Sequence, residues 1–240
     1  MKSLIFRLRQ PVIEFLIVVI GIIAALSLDN WNNERLDRGR ETEYLIRLKS
    51  DIESDLSEFA LASQAVVEKR RDLELISRFA RNPEGIEENI VPFLEALING
   101  NRLGFNIPRG KATTFSDLTN TGNLGLIRRA DLRRSILDYY QQRTSSIRRI
   151  ETRMTEYPGR AYGIIPPELP SYRIGPVTLP ADVQISEDSI EHIVTELQSL
   201  QFFLNLNAEQ NYSSFLEGVI EDLGAQAEQL LDALRSELSQ

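Results

Sequence analysis

The sequence predicts an all-α protein in which a transmembrane helix near the amino terminus continues into a long amphipathic helix packed in an extracytoplasmic helical bundle. Three observations predict this. Residues 12–28 read VIEFLIVVIGIIAALSL, seventeen residues whose only charge is Glu14. From residue 29 to about 81 there is no proline and a single glycine, Gly39, while the apolar residues recur at helical spacing. No run of alternating polar and apolar residues long enough for a strand is present.

Each element can be justified in turn. A run of seventeen apolar residues is the short end of what spans a bilayer, about 17 to 25 residues, and the flanks lengthen it. Pro11 stands where a first helical turn tolerates proline, and Trp31 is placed as an aromatic interface anchor. The expected organisation is a short tail at 1–11, a transmembrane helix at 12–31 and a helical domain at 32–240. A cleaved signal peptide is the competing reading, with Lys2, Arg7 and Arg9 as its basic region and Ala25-Leu26-Ser27 as a cleavage site. Glu14 at the edge of the hydrocarbon would reach headgroup water or pair with an arginine or a neighbouring subunit. Gly21 and Ala25 form a small-xxx-small pair suited to close approach of a second helix.

Beyond the span, Tyr44, Leu45, Leu48, Ile52, Leu56, Phe59, Ala62, Val66, Leu73, Ile76 and Phe79 make the apolar stripe, and Glu43 with Arg47 makes an i,i+4 pair. Asn82-Pro83-Glu84-Gly85 stops this helix. A second helix is expected at about 89–98, then a loop over 101–112. A short helix capped by Thr113 or Thr114 should follow, running to Leu118. The next helix is expected at about 129–156, carrying Tyr139 as a core aromatic and Tyr140 as its half-exposed neighbour. Six prolines in 157–182 predict an extended excursion without helix. Two final helices are expected at 186–204 and 208–238, giving a bundle of four or five helices with the long first helix against the last two.

Composition narrows the chemistry. The 240 residues carry a formal net charge of -8, no cysteine and one histidine, His192. Thiol nucleophiles, disulfides and cysteine or multi-histidine metal sites are excluded, and the acidic balance argues against nucleic acid as a partner. His192 beside Asp188 and Glu196 reads as a solvated helix face, and no nucleophile elbow, phosphate loop or dinucleotide fingerprint occurs. No catalytic residue, cofactor or metal site is therefore expected, and the chain reads as a non-enzyme. Eight arginines between 128 and 153 face eleven acids between 187 and 240. The two regions are expected to complement each other in the bundle; alternatively Arg128, Arg129, Arg133 and Arg134 meet lipid headgroups or an acidic partner.

Two blocks also carry a resemblance. EFLIVVIGIIAALSLDNWNNER at 14–35, with the long charged helix after it, resembles the start of a widespread family of uncharacterised bacterial single-pass membrane proteins. In that family an acidic residue precedes the apolar run and an Asn-Trp-Asn-Glu-like sequence follows it; here Asn33 intervenes before Glu34. TTFSDLTNTGNLGLIRRADLRRSILDYY at 113–140 is similar to the family's second block, a short helix, a Gly-x-Leu-x-Leu-Ile turn and a helix containing Tyr-Tyr. The resemblance covers about a fifth of the chain and implies an anchor and a helical extracytoplasmic domain, with no activity attached.

The expected location is the bacterial inner membrane, amino terminus cytoplasmic and the bulk of the chain periplasmic. The expected role is a structural or accessory protein that self-associates or binds a larger membrane complex. The alternative is a sensing bundle that holds a small molecule and signals through a partner.

Overall fold

The computed structural model describes residues 2–100, 108–169 and 177–239, with side chains from Phe15 onward. Among them α1 (Lys2–Arg81) is one unbroken helix of 80 residues, about 120 Å long at 1.5 Å per residue. It is followed by α2 (Ile90–Asn99), α3 (Thr113–Asn120), a 3₁₀ turn (Asn123–Leu126), α4 (Ala130–Glu151), α5 (Tyr157–Gly163), α6 (Glu187–Leu197) and α7 (Leu200–Leu238). The described residues contain no strand, so the fold is all-α.

From Phe15 to Arg40 no side chain of α1 is buried. Burial begins at Glu41 and then follows a strict rhythm. Glu41, Leu45, Leu48, Ile52, Asp55, Phe59, Ala62, Val66, Lys69, Leu73 and Ile76 are buried, in alternating steps of four and three. That is a heptad seam, the spacing that keeps one stripe of a helix facing a partner helix over many turns. The partner is α7, whose 39 residues run antiparallel: Arg70 pairs with Glu217 at 2.5 Å and Glu53 with Arg235 at 3.2 Å.

Two apolar clusters stack along this α1–α7 spine. The one nearer the exposed end of α1 joins Leu45 through Val66 to Leu118, Leu132, Ile136 and the second half of α7. The distal one joins Leu73 and Ile76 to α2, α5, α6 and the start of α7, with Phe93 and Phe202 fully enclosed. Burying each such side chain stabilises the fold by about 1.5–3 kcal/mol.

Several elements differ from the sequence expectation, each for a local reason. There are seven α-helices among the described residues. Pro158 sits in the first turn of α5, where a missing N–H costs nothing, so the proline-rich segment does begin with a helix. Its residues 170–176 lie outside the described residues, as do 101–107 of the expected loop. α4 stops at Glu151, five residues before the expected end, and the chain turns there to bring Thr155 to Glu209. The last two helices break at Gln198–Ser199 because the Ser199 hydroxyl accepts from the Phe202 N–H at 3.1 Å. Neither Thr113 nor Thr114 caps α3; the cap residue is Ala112, and the Thr114 N–H donates to Asp51 Oδ2 of α1 at 3.2 Å. Arg47 reaches Asp117 at 3.1 Å.

The seam makes a quantitative demand. Leu48→Ala, which opens a hole in a fully buried layer, should cost about 2–5 kcal/mol in chemical denaturation, whereas Leu61→Ala on the exposed face of the same helix should stay within about 0.5 kcal/mol. Equal losses at the two positions would contradict the assignment of the buried face.

Candidate functional site

Two features stand apart from ordinary core packing: the exposed apolar length of α1, and a set of charges buried in its seam. In the first, residues 15–28 present a side-chain surface that no other described part of the chain buries; Phe15 and Leu28 at its two ends are each 67% exposed. One helix of the described residues, beginning at Phe15, is long and apolar enough to cross a membrane. Gly21 has nothing within 4 Å of where a Cβ would stand, and Ala25 is exposed, so both are open to a neighbouring helix. The side chain of Glu14 lies outside the described residues. Trp31 is exposed one turn past the run, with the Arg35 guanidinium 5.8 Å from its ring centre.

The seam charges are Glu41, Asp55 and Lys69, placed two heptads apart on one face of α1. A charge taken out of water is costly unless it is paired and hydrogen-bonded, so each needs a dedicated partner. Glu41 Oε1 accepts from the Arg128 backbone N–H at 2.7 Å, and its Oε2 is 3.6 Å from Arg128 Nε. Asp55 is the most completely held. Its Oδ2 accepts from Arg143 Nη1 at 2.5 Å and from the Tyr139 hydroxyl at 2.7 Å, and Oδ1 accepts from the Lys111 N–H at 2.6 Å. Arg143 also donates to the Lys111 carbonyl at 2.9 Å and lies over the Tyr140 ring at 4.6 Å. Both side chains of this pair are enclosed, 4% and 0% exposed.

Gly110 makes the Asp55 centre possible. Its φ of +65° suits glycine, and a Cβ there would stand 2.7 Å from Arg143 Nη1 and 2.8 Å from Asp55 Cγ. Burial pushes the hydroxyl pKa of Tyr139 well above the usual range, reinforced by its bond to Asp55, and burial does the same for Tyr140. Both tyrosines are buried, so the expected half-exposed position of Tyr140 is corrected: Phe115 of α3 stacks on it, ring centres 4.1 Å apart.

Lys69 pairs with Glu209 of α7, and the Thr155 hydroxyl donates to the same carboxylate. This pair lies between the two apolar clusters: Lys69 falls between Val66 and Leu73, and Glu209 between Leu206 and Tyr212. Beside it the Tyr157 hydroxyl and the Asn205 Nδ2 are buried without a hydrogen-bond partner.

The four arginines singled out from the sequence are collected at one end of the bundle, around the 3₁₀ turn. Arg128 Nη2 donates to the Glu34 carbonyl at 3.2 Å, and Arg133 Nη1 donates to the Ile127 carbonyl at 2.6 Å. Arg129 joins Asp131 at 3.1 Å to Glu237 at 2.8 Å, which holds the Asp131 carboxyl below its ordinary pKa; Arg134 is exposed. Complementarity with the acidic carboxyl-terminal region is thus carried by Arg129 and Glu237, while Arg128 and Arg143 are committed to acids of α1. His192 is exposed, and among the described residues no three His, Asp or Glu side chains converge in a way that could hold a metal ion. A solvent-open groove of about 580 Å³ runs along the distal half of the spine, lined in part by Arg71, Arg78, Arg81 and Gln210.

An Asp held by three donors and sealed from water fixes helix positions; it presents no lone pair to solvent for proton transfer. The charge set was missed in the sequence because Asp55 and Lys69 were counted with the polar face. Their register relative to Leu48, Ile52, Val66 and Leu73 was the available signal. No family model matches the chain, and no curated protein or solved structure matches it.

Breaking one side of the Asp55–Arg143 pair should be far worse than removing both. Asp55→Asn is expected to cost about 3–5 kcal/mol, and a double Asp55→Leu, Arg143→Leu variant to recover much of that. Tyr157→Phe should be neutral or stabilising, because the hydroxyl it removes has no partner. Urea denaturation of the three variants checks both, and a loss above about 1 kcal/mol for Tyr157→Phe would show that its hydroxyl is bonded.

Proposed function

We propose that the chain is a single-pass protein of the bacterial inner membrane, anchored by residues 12–31 with its amino terminus cytoplasmic. The helical domain from residue 32 onward then lies in the periplasm and acts as a structural or accessory module that binds a larger membrane complex or a second copy. The observation that carries this reading is the contrast within α1: no large apolar side chain from Phe15 to Leu28 is buried and all but Val19 are exposed, while the stripe from Leu45 onward is enclosed. Hydrocarbon is the solvent in which the first half is satisfied. A signal sequence passes the same test of length and composition. The anchor is favoured because α1 runs on without a break from Ala25 to the first buried layer at Glu41. The resemblance of the 14–35 and 113–140 blocks to a family of single-pass bacterial membrane proteins points the same way.

A non-catalytic role is supported by how the charged groups are used. Asp55, Glu209 and Arg143 are enclosed and committed to holding helices, and His192 is on an exposed face. The small pair Gly21 and Ala25 offers a contact to a neighbouring helix inside the bilayer.

Membrane fractionation tests the anchor. The full-length protein should stay with the membrane in alkaline carbonate, be released by detergent, retain its residues before Ala25, and be degraded from residue 32 onward when protease is added to spheroplasts. Release by carbonate, or a mature amino terminus at Ser27 or Leu28, would overturn the reading. Chemical cross-linking in native membranes should trap either a dimer or a defined larger complex; a lone monomer would remove the accessory role.

A further inference from the structure

We propose that a second copy of this chain docks along the outward face of α1, so that two rods lie side by side and parallel from the bilayer to the middle of the bundle. This inference rests on the membrane anchor proposed above and names both the partner and the surface it meets.

Within the bundle this face lies opposite the seam. Ser50, Ser57 and Gln64 each stand two residues from a buried seam residue on either side, about 160–200° round the helix from it. Between Glu53 and Arg71 the exposed residues of α1 are Ser57, Ala60, Leu61, Gln64 and Val67, and none is charged, although charged residues make up 26% of the chain. A helix face that meets only water ordinarily carries the charges. Here the charges at its borders are drawn sideways into the bundle: Glu58 accepts from the Gly110 N–H at 3.1 Å, and Arg70 reaches Glu217 at 2.5 Å. Leu61 and Val67 are left 66% and 48% exposed, and no described element buries them.

The same face continues into the apolar run. Gly21, Gly39 and Ser57 are 18 residues apart, about five turns each at 3.6 residues per turn, so they fall on one line of the unbroken helix. Ala25 stands one turn after Gly21, which puts the small pair of the apolar run on the side turned away from the seam. In steps of three and four from Gly21 to Val67, every position on this line is exposed. The line is about 70 Å long. A partner that fits all of it must present a straight helix that begins inside the bilayer and continues well beyond the headgroups. A second copy meets that demand: anchored in the same membrane it stands parallel and level, and a two-fold axis between the rods sets each residue of the line opposite its counterpart. Gly21, Gly39, Ser57 and Ala60 let the backbones approach closely, and the two bundles, each on the seam side of its own α1, point away from each other. Two charges that border the line are already occupied: Glu53 by Arg235 and Lys49, and Arg35 by the Trp31 ring at 5.8 Å.

The test is disulfide trapping of the full-length protein in native membranes, since the chain has no cysteine of its own. Facing Cα atoms of helices packed about 8–10 Å apart come within about 6 Å, a span that a disulfide closes. Under oxidant, Ser57→Cys and Asn32→Cys, both on the line, should each convert most of the chain to a covalent dimer. Asn30→Cys, exposed on the opposite side of the rod, should stay monomeric. Ala60→Arg sets two like charges face to face and should lower the dimer yield of Ser57→Cys at least about tenfold, with the melting temperature of the fold unchanged because the position is exposed. Equal yields from Asn30→Cys and Asn32→Cys, or an Ala60→Arg variant that dimerises as well as its parent, would overturn the inference. No disulfide at Ser57 while amine cross-linking still traps a complex refutes this surface and leaves the accessory role standing; no product by either route refutes both, and release of the chain by carbonate refutes the anchor as well.

Discussion

An unbroken helix of 80 residues cannot be enclosed by a chain of 240, and that constraint shapes the whole molecule. Residues 15–40 of α1 have no protein that buries them, and from Glu41 onward the helix is covered along one stripe, chiefly by the antiparallel α7 and in part by α2, α3 and α4. The seam works only because its three charged positions are answered: Glu41 by Arg128 between the 3₁₀ turn and α4, Asp55 by the middle of α4 and the loop before α3, Lys69 by α7. A slip of α7 or α4 by one turn would leave a charge buried and unpaired, a loss of several kcal/mol where an apolar seam would lose much less. The buried charges therefore select one register for the helices that flank α1.

The same charges divide the bundle. The cluster nearer the apolar run is built on Asp55 and its tyrosines, and the distal cluster on Phe93, Tyr157 and Phe202, with the Lys69–Glu209 pair between them. Glu168 ties the distal end together: it accepts from the hydroxyls of Ser186 and Ser189 at the start of α6, and those bonds lower its pKa to about 2. Asn99 does similar work for the proline-rich segment, bonding both the N–H and the carbonyl of Val177. Val177 and Leu179 of that segment are thus pinned by side chains of α2.

The all-α class and the run of α1 on to Arg81 were legible in the sequence, because a proline-free apolar periodicity over fifty residues has one structural solution; its start was not, since α1 is already helical from Lys2 and Pro11 lies inside it and not in its first turn. The stripe was legible as well: eight of the eleven residues named for it are buried, and Tyr44, Leu56 and Phe79 lie at its margins. The polar members of the seam were not. Sequence patterning assigns charges to the solvent face, and only the partners contributed from residues 110–143 and 209, distant in sequence, reverse that for Asp55 and Lys69. Pro158 and Ser199 were misread for a different reason. A proline in a first turn and a serine cap are position-dependent signals, and both depended on a boundary that only the packing of α5 and α7 fixes.

For function, the consequence is mechanical. The exposed apolar run and the sealed seam belong to one rod, so the position of the bundle relative to that run is set by helix geometry, and Gly39 is the one glycine between them. A distance measured across Gly39 tests this most directly. Spin labels at Leu36→Cys, in the exposed stalk, and Leu61→Cys, on the outer face within the bundle, replace exposed residues of a cysteine-free chain. An unbroken α1 predicts a single narrow distribution near 38 Å, about 25 residues at 1.5 Å each, in nanodiscs and in detergent alike. A broad distribution, or one centred many ångströms shorter, would contradict the continuous rod and with it the fixed placement of the bundle.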